Sequence, residues 1–456
     1  MLNRFILIDE IRTARQMPCC FLRDKAVSIF TCNKCTYCIT MKSINNEQDM
    51  SIEGKKNMSL TLSERAKAVK PSSTLAITAK AKELKANGVD VVGFGAGEPD
   101  YNTPENINQA AIDAINQGFT KYTPASGTVE LREAVSRKFK SFNNLDYSPQ
   151  QIVISNGGKH SLMNIFDAII NPGDEVLIPA PYWLSYPEIV KLAGGVPVFI
   201  YTGAENDYKI SGADIRKAAT DKTKAVVLNS PNNPTGMVYL REELEDIAAA
   251  VIECNIYCVA DEMYEYLTYD GREHISIASL GDEIYKRTIT CSGLSKSYAM
   301  TGWRMGYTGS SEEIAKLMGS IQSHATSNPN SIAQKAAVEA LSGPQEAVMR
   351  MKAAFEKRRD AMYNRVSTMK YVKLVKPEGA FYLFIDMSEA LEKEYKGEKI
   401  ETTINMARIL LDDYAVAVVP CVDFGYPKHI RLSYAISKAQ IYKGLDRIEN
   451  FLNSIS

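Results

Sequence analysis

The sequence predicts an α/β fold: a mostly parallel, seven-stranded type of sheet flanked by helices, with a smaller α+β region joined to it. Three observations carry this. Six short β-branched runs recur between residues 152 and 290. Helix-period stretches of about 10–20 residues separate most of them, the pattern of βαβ units. After a long helical stretch around 311–370 the chain turns to short strands mixed with helices.

Taken in order, a helical pattern runs from Arg65 to Lys70 and stops at Pro71, and a second runs from Thr74 to about Asn87 and stops at Gly88. The strand runs are Ile152–Ile154, Glu175–Ile178, Val196–Ile200, Ala225–Leu228, Ile256–Ala260 and Thr288–Thr290. Beyond the helical stretch come Gly379–Ile385, Ala415–Val419 and His429–Ser433. We therefore expect an N-terminal segment, 58–104, that joins the small domain, a large domain over 105–344, and a small C-terminal domain over 345–456.

At 456 residues the chain is long enough for two or three domains, and its 45% hydrophobic and 23% charged content is that of a soluble globular protein. A formal net charge of -1 gives no footprint for nucleic acid or an anionic membrane, and no apolar run reaches the roughly 20 residues of a membrane span. Four of the nine cysteines are scattered singly, and no signal-peptide pattern opens the chain, so the expected compartment is the cytoplasm.

Residues 1–57 lack a sustained period. Their Cys32, Cys35 and Cys38 have the spacing of thiolate metal ligands, with Cys19 or Cys20 as the fourth. No histidine is near, and such short matches arise by chance, so no metal is expected. We read the segment as an extension, disordered or untranslated, with patterned sequence beginning at Met58.

The chemistry concentrates at strand ends, where such a sheet presents its ligands. Ser292-Gly293-Leu294-Ser295-Lys296 follows the run Thr288–Thr290, and Arg304 comes eight residues after the lysine. A lysine in such a loop suits imine chemistry, and Ser292 and Ser295 with Arg304 suit a phosphate. Asn229-Ser230-Pro231-Asn232-Asn233-Pro234-Thr235-Gly236 follows Ala225–Leu228, and Asp261-Glu262-Met263-Tyr264 follows the run ending at Ala260. Each motif alone is weak; their order, each at the end of its strand, is not. Gly157-Gly158-Lys159 follows Ile152–Ile154 and opens a helix expected over Ser161–Ile170, a place where backbone N–H groups suit a phosphate. Arg431 sits mid-strand among apolar neighbours, where a charge needs a partner, and its fork matches a carboxylate. Gly93-Phe94-Gly95-Ala96-Gly97 lacks the spacing and the setting of a dinucleotide fingerprint.

Over about residues 58–456 these motifs resemble the fold-type-I pyridoxal-phosphate enzymes, and within them the class I aminotransferases, bacterial aspartate and aspartate/prephenate aminotransferases in particular. The resemblance implies pyridoxal 5'-phosphate as cofactor and Lys296 as the residue that holds it and later moves the proton. Asp261 would pair with the pyridinium nitrogen, and Asn233 and Tyr264 with the ring 3'-oxygen. Gly157, Gly158, Lys159, Ser295 and Arg304 would surround the phosphate, Trp183 would stack on the ring, and Tyr122 would reach the phosphate of the neighbouring subunit of a homodimer. Arg431 and the Gly97 backbone would take the substrate α-carboxylate, beside Asn233 and Trp183.

A dicarboxylic substrate needs a second cation. One branch of aspartate aminotransferases takes it from an arginine about 34 residues past the lysine, but Ser323–Asn330 holds no Arg or Lys. The other branch uses a lysine directly after the Gly-Gly, which is Lys159 here, with Thr74 beside it. A point charge tolerates different side-chain lengths better than a fork. Aspartate is therefore the expected donor, with 2-oxoglutarate as acceptor. The alternatives are prephenate chemistry and a lyase on the same fold. A DNA-binding regulator is disfavoured, because residues 1–57 carry no basic cluster or helix-turn-helix pattern.

Overall fold

The computed structural model describes residues 60–69 and 73–456, together with the backbone of two short strands, Thr31–Cys32 and Cys35–Thr36, which pair antiparallel. The reading of residues 1–57 otherwise lies outside the described residues. The chain divides at Thr61, and Leu62–Ser456 forms one compact unit.

Within that unit, alternating strands and helices build a seven-stranded sheet. Its order across the sheet is Ile152–Ser155, Gly306–Gly309, Thr288–Gly293, Tyr257–Asp261, Thr223–Asn229, Glu175–Ala180 and Val196–Tyr201. The strands from Thr288–Gly293 to Val196–Tyr201 pair in parallel, and Gly306–Gly309 runs antiparallel to both of its neighbours. Because both faces are covered by helices, the central strands are buried along nearly their whole length, which explains the unbroken apolar runs Ala225–Leu228 and Cys258–Ala260. Val153, Val227, Val259 and Ile289 enter one apolar cluster, while Val226, Leu228, Cys258 and Ala260 enter another, as two-residue alternation requires.

Gly306-Tyr307-Thr308-Gly309 was not expected as a strand. Glycines at both ends give it the look of a turn, and only pairing on both sides makes it a strand. Its reversed direction brings its amino end, and Arg304 just before it, to the edge where the parallel strands end.

A second, four-stranded antiparallel sheet has the order Lys373–Leu374, Tyr382–Asp386, His429–Ser433, Val419–Pro420. Helices Glu346–Val366, Thr403–Tyr414 and Lys438–Ser454 accompany it, and an apolar cluster that includes Phe355, Leu410 and Leu445 joins all three. Val92–Gly93 pairs in parallel with Val416–Ala417, and the Ser433 N–H donates to the Phe94 carbonyl at 2.8 Å.

Several expected boundaries move. The expected strand Ala415–Val419 is two pieces in different sheets, because Ala415 caps the preceding helix in the left-handed region at φ 52°. The expected run Gly379–Ile385 becomes a strand only at Tyr382, because the Gly379 and Ala380 amides donate instead to Gly236 and Leu267 carbonyls. The helical stretch 311–370 is three helices, Glu312–Ala325, Ser331–Ser342 and Glu346–Val366. Among the described residues, no helix is long and apolar enough to cross a membrane.

Candidate active site

The loops that leave the carboxyl ends of the parallel strands meet in a cavity of about 650 Å³. Gly97, Gly158, Lys159, Trp183, Asn233, Asp261, Tyr264, Ser295, Lys296, Arg304 and Arg431 all line it. Separate positions from Gly97 to Arg431 thus converge: the parallel strands deliver Asn233, Asp261 and Lys296 to one edge, and the second sheet and the segment after Val92–Gly93 bring Arg431 and Gly97 to it.

Lys296 follows the strand Thr288–Gly293 by three residues, and its Nζ donates to the Gly97 carbonyl at 2.6 Å. Burial lowers its pKa from 10.5 to about 8; Glu98 opposes the shift and the positive charges of Arg431 and Arg304 add to it. A neutral amine is thereby accessible near neutral pH.

Asp261 ends its strand and is buried, and burial raises its pKa to about 6. Two donors oppose that shift: the Tyr186 phenol meets Oδ2 at 2.6 Å and the Met263 N–H meets Oδ1 at 3.2 Å. The Asn229 side chain donates to the Asp261 carbonyl at 2.9 Å and accepts the Asn233 N–H at 2.9 Å, tying the two strand-end loops together.

Arg431 is buried mid-strand. Nη1 donates to Asn233 Oδ1 at 2.9 Å and Nη2 to the Gly95 carbonyl at 3.4 Å, while Nε has no partner among the described residues. Its guanidinium lies 4.3 Å from the centre of the Tyr382 ring, and the Tyr382 and Tyr264 hydroxyls are 3.0 Å apart. An unsatisfied buried guanidinium nitrogen is costly unless an anion arrives.

At the opposite end of the chain order, the helix Gly158–Ile169 begins three residues earlier than expected, because Gly157 turns the chain at φ 88°. A Cβ on Gly157 would stand 2.4 Å from Arg304 Nη2 and would push the guanidinium aside, and the positive φ itself favours glycine. Arg304 is held by the Thr301 carbonyl at 2.8 Å and the Asn156 carbonyl at 3.4 Å, its own backbone in the left-handed region at φ 58°. Lys159 Nζ lies 5.0 Å over the Trp183 ring, and burial with the nearby Arg304 charge lowers its pKa. Lys159 makes no ion pair among the described residues.

Three expected residues fall differently. Ser292 is turned away: it lies fully buried on the strand, and its hydroxyl donates to Glu265 Oε1 at 2.5 Å. Alternation along the strand puts it behind the cavity instead of facing a phosphate. Tyr122 is 90% exposed and does not line this cavity. Thr74 lies in the helix Ser73–Ala86, and its side chain is outside the described residues. Tyr186 and Tyr382 were missed. Both are tyrosines among 24, and no local pattern marks one that points into a site.

These residues fit pyridoxal phosphate. The fit rests on a half-buried lysine of lowered pKa, a buried carboxylate with donors on both oxygens, a glycine turn beside a guanidinium, and a second, buried guanidinium with an unpartnered nitrogen.

The comparisons with known proteins agree. The family model described as aminotransferase class I and II matches residues 89–448. An aspartate aminotransferase of Bacillus sp. (strain YM-2) is 52% identical over 391 residues, 86% of this chain and 99% of that protein. A probable aspartate/prephenate aminotransferase of Aquifex aeolicus (strain VF5) is 46% identical over 86% of this chain and 99% of its own length. The solved aspartate aminotransferase of Thermus thermophilus with maleate superposes with a TM-score of 0.80 at 43% identity, covering 86% of this chain and all of that one. The chain belongs to the class I and II aminotransferase family, and it is a pyridoxal 5'-phosphate-dependent enzyme.

Proposed function

We propose that the enzyme transfers the amino group between L-aspartate and 2-oxoglutarate, giving oxaloacetate and L-glutamate. The observation that carries this is a pair of cations, Arg431 and Lys159, lining the cavity that also holds Lys296, neither of them ion-paired among the described residues. Two such cations suit a substrate with two carboxylates. The relatives named aspartate aminotransferase, and the one solved with maleate, support the same reading.

Bound in this cavity, pyridoxal phosphate supplies an aldehyde for the amino group and an electron sink for the charge that develops at Cα. Lys296 would hold the cofactor at rest and, as a neutral amine, would take and return the substrate's Cα proton. Asp261 would hold the proton on the ring nitrogen. Because Arg431 occupies the Asn233 oxygen, the Asn233 NH2 is left to donate, with Tyr264, to the ring 3'-oxygen. Gly157, Gly158, the Lys159 backbone, Ser295 and Arg304 would hold the phosphate, and Trp183 would cover the ring. Arg431 and Gly97 orient the α-carboxylate, and Lys159 with Thr74 takes the distal one.

The functional unit is a homodimer in which Tyr122 serves the partner's cofactor, a reading supported by its 90% exposure in the single chain. The division into a large domain over 105–344 and a small one formed by 58–104 with 345–456 is supported by the pairing of Val92–Gly93 with Val416–Ala417. We place the enzyme in the cytoplasm. Prephenate is the second amino acceptor of interest, favoured by the point charge of Lys159 and by the Aquifex aeolicus relative.

The test is the half-reaction of the cofactor-loaded enzyme with excess L-aspartate, followed by absorbance. Conversion of the lysine-bound band to the amine form with one equivalent of oxaloacetate is expected. Binding of aspartate without release of a keto acid would move the assignment to a lyase or to another amino donor.

A further inference from the structure

Behind the cavity the chain buries charge that no step above uses. Helix Val129–Asn143 supplies Lys138 and Asn143, the turn after strand Tyr257–Asp261 supplies Glu262 and Glu265, the loop beyond that turn supplies His274, and strand Thr288–Gly293 supplies Ser292. All six side chains are shielded from solvent. Lys138 Nζ lies 2.5 Å from Glu265 Oε1 and donates to Asn143 Oδ1 at 2.8 Å. Asn143 Nδ2 in turn donates to Glu265 Oε2 at 2.8 Å and Glu262 Oε2 at 3.0 Å. Ser292 donates to Glu265 at 2.5 Å, and His274 Nε2 lies 3.0 Å from Glu262 Oε2, at ion-pair distance but off the line of a hydrogen bond.

The donor atoms of Glu262, Glu265 and His274 all fall within 4.8 Å of one another, a spacing that would suit a metal ion. Lys138 already supplies the cation: its ammonium sits against Glu265, where an ion would bind. Stability alone is a poor reason for the network, because a buried ion pair holds a fold no better than apolar side chains of the same volume. What it adds is direction. Each carboxylate neighbours a cavity residue: Glu262 follows Asp261, and Glu265 follows Tyr264. Asp261 and Tyr264 line the cavity, while Glu262 and Glu265 enter the network behind it. Ser292 lies four residues before Lys296. Burial pushes the Glu265 carboxyl up, but Lys138, His274 and the Ser292 hydroxyl outweigh it and hold the group below its ordinary range, so it stays ionised.

We propose that Glu265, braced by Lys138 and Asn143, is a positioning residue that locks the turn bearing Asp261 and Tyr264 to the strand that delivers Lys296. This rests on the cofactor site described above. Asp261, Tyr264 and Lys296 are then set by one polar junction whose own side chains do not line the cavity.

The experiment uses the full chain, stripped of cofactor and reloaded, in the parent and two variants. Lys138→Met/Glu265→Gln removes the charge pair with little change in volume, and Ser292→Ala cuts one tether and keeps every charge. The double variant is expected to bind pyridoxal phosphate about tenfold or more weakly and Ser292→Ala about threefold, with a weakened visible circular dichroism band in both. Cofactor-free melting temperatures should stay within about 5 °C of the parent. If the double variant does not fold, Ser292→Ala decides. Unchanged cofactor affinity and dichroism, whatever the melting temperature, would overturn the proposal, as would a chelatable metal ion co-purifying at one per chain. A parent chain that binds no pyridoxal phosphate would overturn the cofactor site itself; a parent that binds it, with variants indistinguishable from it, overturns this inference alone.

Discussion

The Tyr186 phenol donates to Oδ2 of Asp261 at 2.6 Å, with both groups buried beneath the cofactor cavity. Burial holds the phenol well above its ordinary pKa, so it is always the donor, and its bond favours the ionised carboxylate. Without it, the pKa of Asp261 would rise above about 6. Tyr186→Phe should therefore move the acidic limb of the pH–kcat/KM profile upward by about one unit and lower kcat/KM at pH 7 about twofold. An acidic limb that stays in place in this variant would show that the phenol does not tune Asp261.

The same carboxylate weakens the cofactor-free fold. Its folded pKa of about 6 lies above the ordinary 3.8, so its contribution is full below about pH 4 and is lost as the pH rises through 6. Asp261→Asn, neutral at every pH, should be more stable than the parent at pH 8, by up to about 3 kcal/mol, and no more stable at pH 4. Urea midpoints at the two pH values measure this. A difference that is the same at both would contradict it.

Arg431→Lys keeps one positive charge but loses the fork that reaches both Asn233 and a carboxylate. We expect KM for L-aspartate and L-alanine to rise together, about 10–100-fold, with kcat less affected, because both substrates share the α-carboxylate. Initial rates over a range of each amino acid would reveal it; a rise confined to aspartate would place Arg431 at the distal carboxylate instead.

Lys159→Ala should separate the two substrates. With its ammonium gone from above Trp183, kcat/KM for aspartate should fall about 100-fold while alanine changes less than about threefold. Equal losses for both would remove Lys159 from the distal-carboxylate role.

By itself the sequence determined the strands whose apolar runs are continuous and the polar residues that end them, because both are local. A run such as Ala225–Leu228 must be buried on both faces, and a parallel sheet collects Asn233, Asp261 and Lys296 at one edge. The mid-strand charge of Arg431 was legible for the same reason. Only the tertiary structure decided that Gly306–Gly309 is a strand, since it is wedged between Thr290–Gly293 and a second partner, Ile152–Ser155, that lies far from it in the chain. It also turned Ser292 to the back of the sheet and aimed Tyr186 at Asp261. The buried cluster of Lys138, Glu262 and Glu265 belongs here too. Nothing local in the sequence marks these charges as buried, and burying a charge is permitted only where partners 119 and 122 residues apart, such as Asn143 with Glu262 and Glu265, arrive at the same point.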